Sequence, residues 1–265
     1  MRFFDASTTA DLQVTARVLA DLDEQATRSG VHIMVVGAVA RDILISQVTG
    51  APPQRATADL DIAVAISSWS DIDRMTAGLS AVPSSAHRFI VRDTEVDIIP
   101  FGDIETAGRT ITWPNDHRMN VLGFREAYEA SVDVKLPGGL VMAVASLPAQ
   151  SLLKLFAWRD RRYETKRDAI DLKTILYAYQ EGRYLDELYE DHGELLEKRD
   201  FDPAAAGAER LGREADALLG KQHRSAVTDL LDDDNLLDAL TGDMGVALSL
   251  NRALLVAYRD GFGHS

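Results

Sequence analysis

The chain has 265 residues, 46% of them hydrophobic and 26% charged, the make-up of a soluble globular protein with room for one large domain or two modest ones. No apolar run approaches the ~20 residues of a membrane-spanning helix, and the early acid after Met1-Arg2-Phe3-Phe4 does not suit a secretory signal, so a cytoplasmic location is expected. The absence of cysteine excludes a disulfide framework and a thiolate metal site, and a net charge of −14 argues against a generally basic nucleic-acid-binding surface. That charge is uneven. Residues 182–265 hold 9 Lys/Arg against 18 Asp/Glu and the rest 19 against 24, so a polyanion is expected to approach the first two-thirds.

In chain order, Leu12, Ala16, Leu19, Leu22 and Ala26 predict a one-faced helix over 11–29, with Thr8 and Asp11 as a capping box and Gly30 as its stop. Val31 to Val36 reads as a buried strand, followed by a Gly37-Ala38 turn and a short helix over 39–47. The breakers from Thr49 to Pro53 predict a loop. A strand follows over 58–66, in which Asp59, Asp61, Ala63 and Ala65 alternate with Leu60, Ile62, Val64 and Ile66. Next come a helix over 71–79 capped by Ser68 and Asp71, and a hairpin of residues 89–91 and 95–101 turning at Arg92-Asp93-Thr94. A second strand pair, 132–136 and 140–145, turns through Pro137-Gly138-Gly139. From Ser146 onward only helical patterns remain. The expected organisation is an α/β (α+β) mixed-sheet domain over residues 1–145 and a mainly helical domain over 146–265.

The acidic residues carry the chemistry. Asp59 and Asp61, two apart on a strand, share a face and repel unless a cation lies between them, although Asp-x-Asp also occurs on plain solvent-facing strands. Asp97, within Val96-Asp97-Ile98-Ile99, sits in a strand buried enough to require a partner for its charge. Should that strand pair beside the one bearing Asp59, the three carboxylates would suit Mg²⁺, or Mn²⁺ in its place, held against substrate phosphates. Glu95 shares the parity of Asp97 but lies beside the turn, where exposure is expected. Gly37-Ala38, between a strand and a helix, offers free backbone N–H groups to phosphate.

This order resembles the nucleotidyltransferase superfamily that includes DNA polymerase β: a strand, Gly-Gly or Gly-Ser, a helix, Asp-x-Asp/Glu, and a later strand Asp. Gly37-Ala38-Val39-Ala40-Arg41-Asp42 is also similar to the Gly-Gly-x-Val-Arg-Asp segment of tRNA CCA-adding enzymes. Two departures stand out: Ala38 replaces Gly or Ser, and an insertion over 49–57 lengthens the gap to Asp59. Farther on, Lys154, Ala157, Arg161 and the run Lys166-Arg167-Asp168-Ala169-Ile170-Asp171-Leu172 resemble the AbiEii/AbiGii toxin-like nucleotidyltransferases. The combined similarity spans roughly residues 30–180.

The resemblance implies an enzyme that moves a nucleoside monophosphate from a nucleoside triphosphate to an acceptor, with tRNA or other RNA as acceptor and a cognate antitoxin as partner. It implies Asp59, Asp61 and Asp97 as metal ligands, Gly37, Ala38 and Arg41 at the phosphates, Lys154 on the triphosphate and Asp168 completing the catalytic group. Residue chemistry leaves other readings open. Lys154 also fits a snorkelling helix residue, and Asp168 a cap in Thr165-x-x-Asp168. The basic run Arg159, Arg161, Arg162, Lys166, Arg167 fits either a phosphate contact or a solvated helix junction. The six histidines show no metal spacing, and Trp113 and Trp158 read as packing residues. A small-molecule, antibiotic-type transferase and a degenerate binding module that no longer turns over remain the alternative functions.

Overall fold

A computed structural model describes residues 3–51, 59–83 and 85–263. The chain forms two compact units, Met1–Gln47 with Pro53–Ser146 and Val48–Pro52 with Leu147–Ser265. The residues of the expected insertion from Pro52 to Thr57, and Ala58 after them, lie outside the described ones.

The first unit is built on a mixed eight-stranded sheet. In chain order its elements are β1 (Phe3–Asp5), α1 (Gln13–Ser29), β2 (His32–Val36), α2 (Gly37–Thr49), β3 (Leu60–Ile66), α3 (Trp69–Thr76), β4 (Ser80–Ala81), β5 (Arg88–Val91) and β6 (Thr94–Gly102). There follow β7 (Thr110–Thr112), β8 (Arg118–Asn120), α4 (Phe124–Glu129), β9 (Val132–Lys135) and β10 (Val141–Val144). The sheet order is β1-β9-β10-β2-β3-β6-β5-β4, and β7 with β8 makes a separate hairpin. The β3–β6 and β10–β2 pairs are parallel, whereas β2–β3 and β5–β6 are antiparallel.

Local chemistry accounts for most of these elements. Helix α1 buries Ala16, Leu19, Leu22 and Ala26 on one stripe and stops at Gly30, whose left-handed backbone returns its N–H to the Ala26 and Thr27 carbonyls. The expected Thr8–Asp11 capping box does not form: a 3-10 turn over Ala10–Leu12 precedes α1, and Leu12 stands at its N-cap without a side-chain cap. At α3 the box does form, with Asp71 Oδ2 accepting from the Ser67 and Ser68 amides at 2.9 and 2.8 Å. Gly37 and Ala38, expected as a turn, are the first residues of α2 itself.

The β5–β6 hairpin turns at two residues rather than three. Arg92 and Asp93 both have positive φ, the twist that brings antiparallel strands back into register. On β3 and β6, Leu60, Ile62, Val64, Val96 and Ile98 are buried on one face, and the alternate face carries Asp61 and Asp97.

The second unit is helical: α5 (Leu147–Arg161), α6 (Arg167–Ala178), α7 (Gly182–Asp191), α8 (Gly193–Lys198), α9 (Pro203–Leu219), α10 (Ser225–Leu231), α11 (Asp234–Asp243) and α12 (Leu248–Asp260). Helix α9 is its hub, packed against α5, α6, α7, α8 and α12. It starts at Asp202, whose side chain accepts from the Ala204 and Ala205 amides, with Pro203 at the first helical position. Its glycines allow backbone-close packing, because a Cβ at Gly207 would lie 2.5 Å from the Tyr179 carbonyl oxygen. No helix among the described residues is long and apolar enough to cross a membrane.

Candidate active site

The acidic residues meet through strand register. In the parallel β3–β6 pair Asp61 stands opposite Asp97, and in the antiparallel β5–β6 pair Asp97 stands opposite Arg88. One row across three adjacent strands therefore reads Asp61–Asp97–Arg88, with all three side chains on one face, since neighbours in register project to the same side. The row continues into β2 at Val36, which pairs with Asp61 and leads directly into α2. Asp59 lies one residue ahead of β3, and its charge reaches Arg88.

Gly37 is fitted to Asp61. It has φ +70°, and a Cβ built on it would fall 2.7 Å from the Asp61 Cγ. Only glycine lets the carboxylate lie against the start of α2, where unpaired amides and the helix dipole favour negative charge. A phosphate drawn to the same amides would face that carboxylate, so a cation between them is required for the two anions to share the place.

Asp97 has a partner that sequence reading missed. Arg88 donates from Nε to Oδ1 at 2.7 Å and from Nη2 to Oδ2 at 2.8 Å, a two-pronged grip, and from Nη1 to Glu95 Oε2 at 2.9 Å. The hydrogen bonds to Asp97, partly opposed by burial, and the charges of Asp97, Glu95 and Asp59 hold the guanidinium proton more tightly than usual. His87 adds a looser contact, Nε2 to Asp97 Oδ2 at 3.9 Å, and stacks at a tilt on buried Trp113. Counting back from the two-residue turn would have found Arg88, because the turn sets the register.

The donor set suits a hard divalent ion in kind, and Asp61 and Asp97 suit it in placement. Among the described residues, however, no group of three or more His, Asp or Glu side chains is arranged to hold an ion as the protein stands. Both oxygens of Asp97 are turned to Arg88, so an ion bound at this carboxylate would meet the charge of the guanidinium.

Other expected site residues are placed differently from each other. Ala38 lies in the first turn of α2. Arg41 is buried, with its guanidinium on Asp42 at 2.6 Å, rather than held out toward a ligand. In the second unit, Lys154 Nζ lies 3.2 Å from Asp168 Oδ1 and 2.7 Å from Asp171 Oδ2, and Arg161 closes on Asp168 from Nε at 2.7 Å and Nη2 at 2.9 Å. Asp168 is 1% exposed. Burial works to raise its pKa, but the Arg161 hydrogen bonds and the Lys154 and Arg161 charges outweigh it and hold the carboxyl below its ordinary 3.8. The side chain does not cap α6, whose N-cap is Lys166.

Part of the basic run is paired within the chain. Arg159 pairs with Asp160, Lys166 with Asp243 at 2.9 Å, and Arg162 lies over the Trp158 and Tyr163 rings. Asp168 and Asp243 thus pair with Arg161 and Lys166, two of the run's five cations. Trp158 is fully buried and donates to Asp243 at 3.0 Å, a packing role as expected.

A family model described as nucleotidyl transferase AbiEii toxin, type IV toxin–antitoxin system, matches residues 44–242. No curated protein matches the sequence. Among solved structures, ANT(2″)-Ia in complex with adenylyl-2″-tobramycin is 9% identical with a TM-score of 0.41, over 63% of this chain and 90% of that one. The Thermotoga maritima CCA-adding enzyme complexed with tRNA is 11% identical with a TM-score of 0.29, over 98% of this chain and 84% of that one.

Proposed function

The chain belongs to the AbiEii nucleotidyltransferase toxin family, and from that premise we propose that it transfers a nucleoside monophosphate from a nucleoside triphosphate to a hydroxyl of tRNA or another RNA. The acceptor oxygen bonds to the α-phosphorus, the bond from that phosphorus to the bridging oxygen breaks, and pyrophosphate leaves. The observation that supports this reading most is the Asp61–Asp97 row beside the Gly37 helix start, which sets carboxylates next to the end of a helix that favours phosphate.

Asp59, Asp61 and Asp97 would hold Mg²⁺, or Mn²⁺ in its place. Such an ion would neutralise phosphate charge as it develops. The chain's own residues do the rest. Gly37 and Ala38 present amides to the phosphates, and the missing side chain at Gly37 leaves room for the Asp61 carboxylate. Asp97, once released by Arg88, is the carboxylate positioned to accept the proton of the attacking hydroxyl. Lys154 is assigned to the triphosphate and Asp168 to its support, since Asp168 and Asp171 both contact the ammonium and orient it. The family description also supports a cognate antitoxin as the genetic partner.

The test is incubation with each labelled triphosphate, Mg²⁺ and total cellular RNA. Label in RNA with release of pyrophosphate is expected, and the absence of both with all four nucleotides overturns the proposal. One observation favours a small-molecule acceptor instead: Arg159, Arg161 and Lys166 of the basic run are paired with acids of the chain itself. Salt separates the two. RNA binding must weaken steeply as salt rises from about 50 to 200 mM, whereas a small acceptor is much less affected.

A further inference from the structure

The cation in the acidic row is a residue of the chain. Asp61 and Asp97, opposite one another on neighbouring parallel strands, place two carboxylates within about 5 Å at the backbone, a repulsion that positive charge beside them relieves. Arg88 supplies that charge. Its guanidinium takes both oxygens of Asp97 and one of Glu95, and it also feels the charge of Asp59, so it sits among the groups expected to bind metal.

A guanidinium has five donors and no acceptor. It cannot share a carboxylate with a divalent ion without strong like-charge repulsion. The same planar fork that fits a carboxylate fits a phosphate. Arg88 is about one-third exposed and lies at the end of β5 away from the hairpin turn, so its side chain has room to change partner.

We infer that Arg88 is an exchange residue: it holds Asp97 while the site is empty and passes to the substrate's triphosphate when a divalent ion takes the carboxylate. This rests on the transferase reading above. Metal and nucleotide then load together, because the anion that draws Arg88 away is the one that the ion must neutralise. A site built so does not take up free divalent ions tightly between turnovers.

The exchange is tested with each ligand alone. Calorimetry with Mn²⁺ and no nucleotide should show Arg88→Ala binding the ion about tenfold or more tightly than the unaltered protein, since a competing unit charge has gone. Arg88→Gln serves if the alanine variant does not fold. Inorganic triphosphate without metal should bind Asp97→Asn more tightly than the unaltered protein. That gain should vanish when Arg88→Ala is added to Asp97→Asn, which separates a freed guanidinium from the mere loss of a negative charge. Equal Mn²⁺ affinity with and without Arg88, or a triphosphate gain that survives the double change, overturns the exchange and leaves Arg88 a brace for β5 and β6. If adding Asp97→Asn to Arg88→Ala leaves the Mn²⁺ affinity of Arg88→Ala unchanged, the metal is not held at Asp97, and the proposed active site fails together with the exchange.

Discussion

Gly37 and Asp61 are in direct contact, the α-carbon of the one against the carboxylate of the other, at the junction of β2, β3 and α2. The contact couples a backbone position to a catalytic candidate. A single methyl group at residue 37 would overlap the carboxylate and would also hold an alanine at φ +70°.

Gly37→Ala should therefore cost activity out of proportion to stability. The strained backbone costs about 1–3 kcal/mol, measurable by thermal unfolding. Displacement of Asp61 by an ångström or so should lower transfer about a hundredfold. A variant with unchanged turnover would remove Asp61 from the proposed machinery.

Asp97→Asn should lower transfer about a thousandfold while leaving the fold intact, because its ion pair with Arg88 is partly open to water and contributes about 1 kcal/mol or less. Glu95→Gln, at an exposed position next to the turn, should leave turnover within a few-fold of the original. Equal effects of the two changes would contradict the distinction between them. Steady-state rates with urea unfolding curves decide it.

Asp168 links stability to acid. Its carboxyl titrates lower in the folded chain than the ordinary 3.8, so the ionised form favours folding. The sign follows: the contribution is complete above that ordinary value and is lost as pH falls through the lower folded value. Asp168→Asn should remove this part of the acid destabilisation and cost about 2 kcal/mol at neutral pH, since Lys154 keeps Asp171 and Arg161 is half exposed. Denaturation curves for both proteins between pH 7 and 3 should converge toward the acid end. Curves that run parallel would show that Asp168 is not coupled to folding in this way.

Gly212→Ala tests the packing of the second unit. A Cβ there would lie 2.9 Å from the Tyr258 carbonyl carbon, backbone that cannot turn aside as a side chain can. Overpacking of this kind costs about 1–3 kcal/mol, against the small gain expected from alanine in a helix. A variant as stable as the original would show that α9 and α12 can separate at no cost.

Much of the site was legible before any coordinates. The β-branched run 31–36, the alternation after Asp59 and the hydrophobes around Asp97 each announce a strand, because a period of two is written in consecutive residues. Gly37 was legible as a special position, though its partner was not. The basic run from Arg159 left two readings open in the sequence, because its pairing with Asp168 and Asp243 depends on how the helices pack.

By itself the sequence determined the main strands and helices between residues 11 and 101, the strand pair after residue 131, the shift to helix after Ser146, and the residue types able to meet phosphate, but not the short elements at 3–5, 80–81, 110–112, 118–120 and 124–129. These depend on backbone preference and burial periodicity, which act over a few residues. Only the tertiary structure decided that β6 lies beside β3 with Asp97 opposite Asp61, that Arg88 grips Asp97, and that Lys154 is shared by Asp168 and Asp171. Cross-strand register and long-range ion pairs are settled by the packing of segments far apart in the chain, and no local pattern encodes which charge will find which.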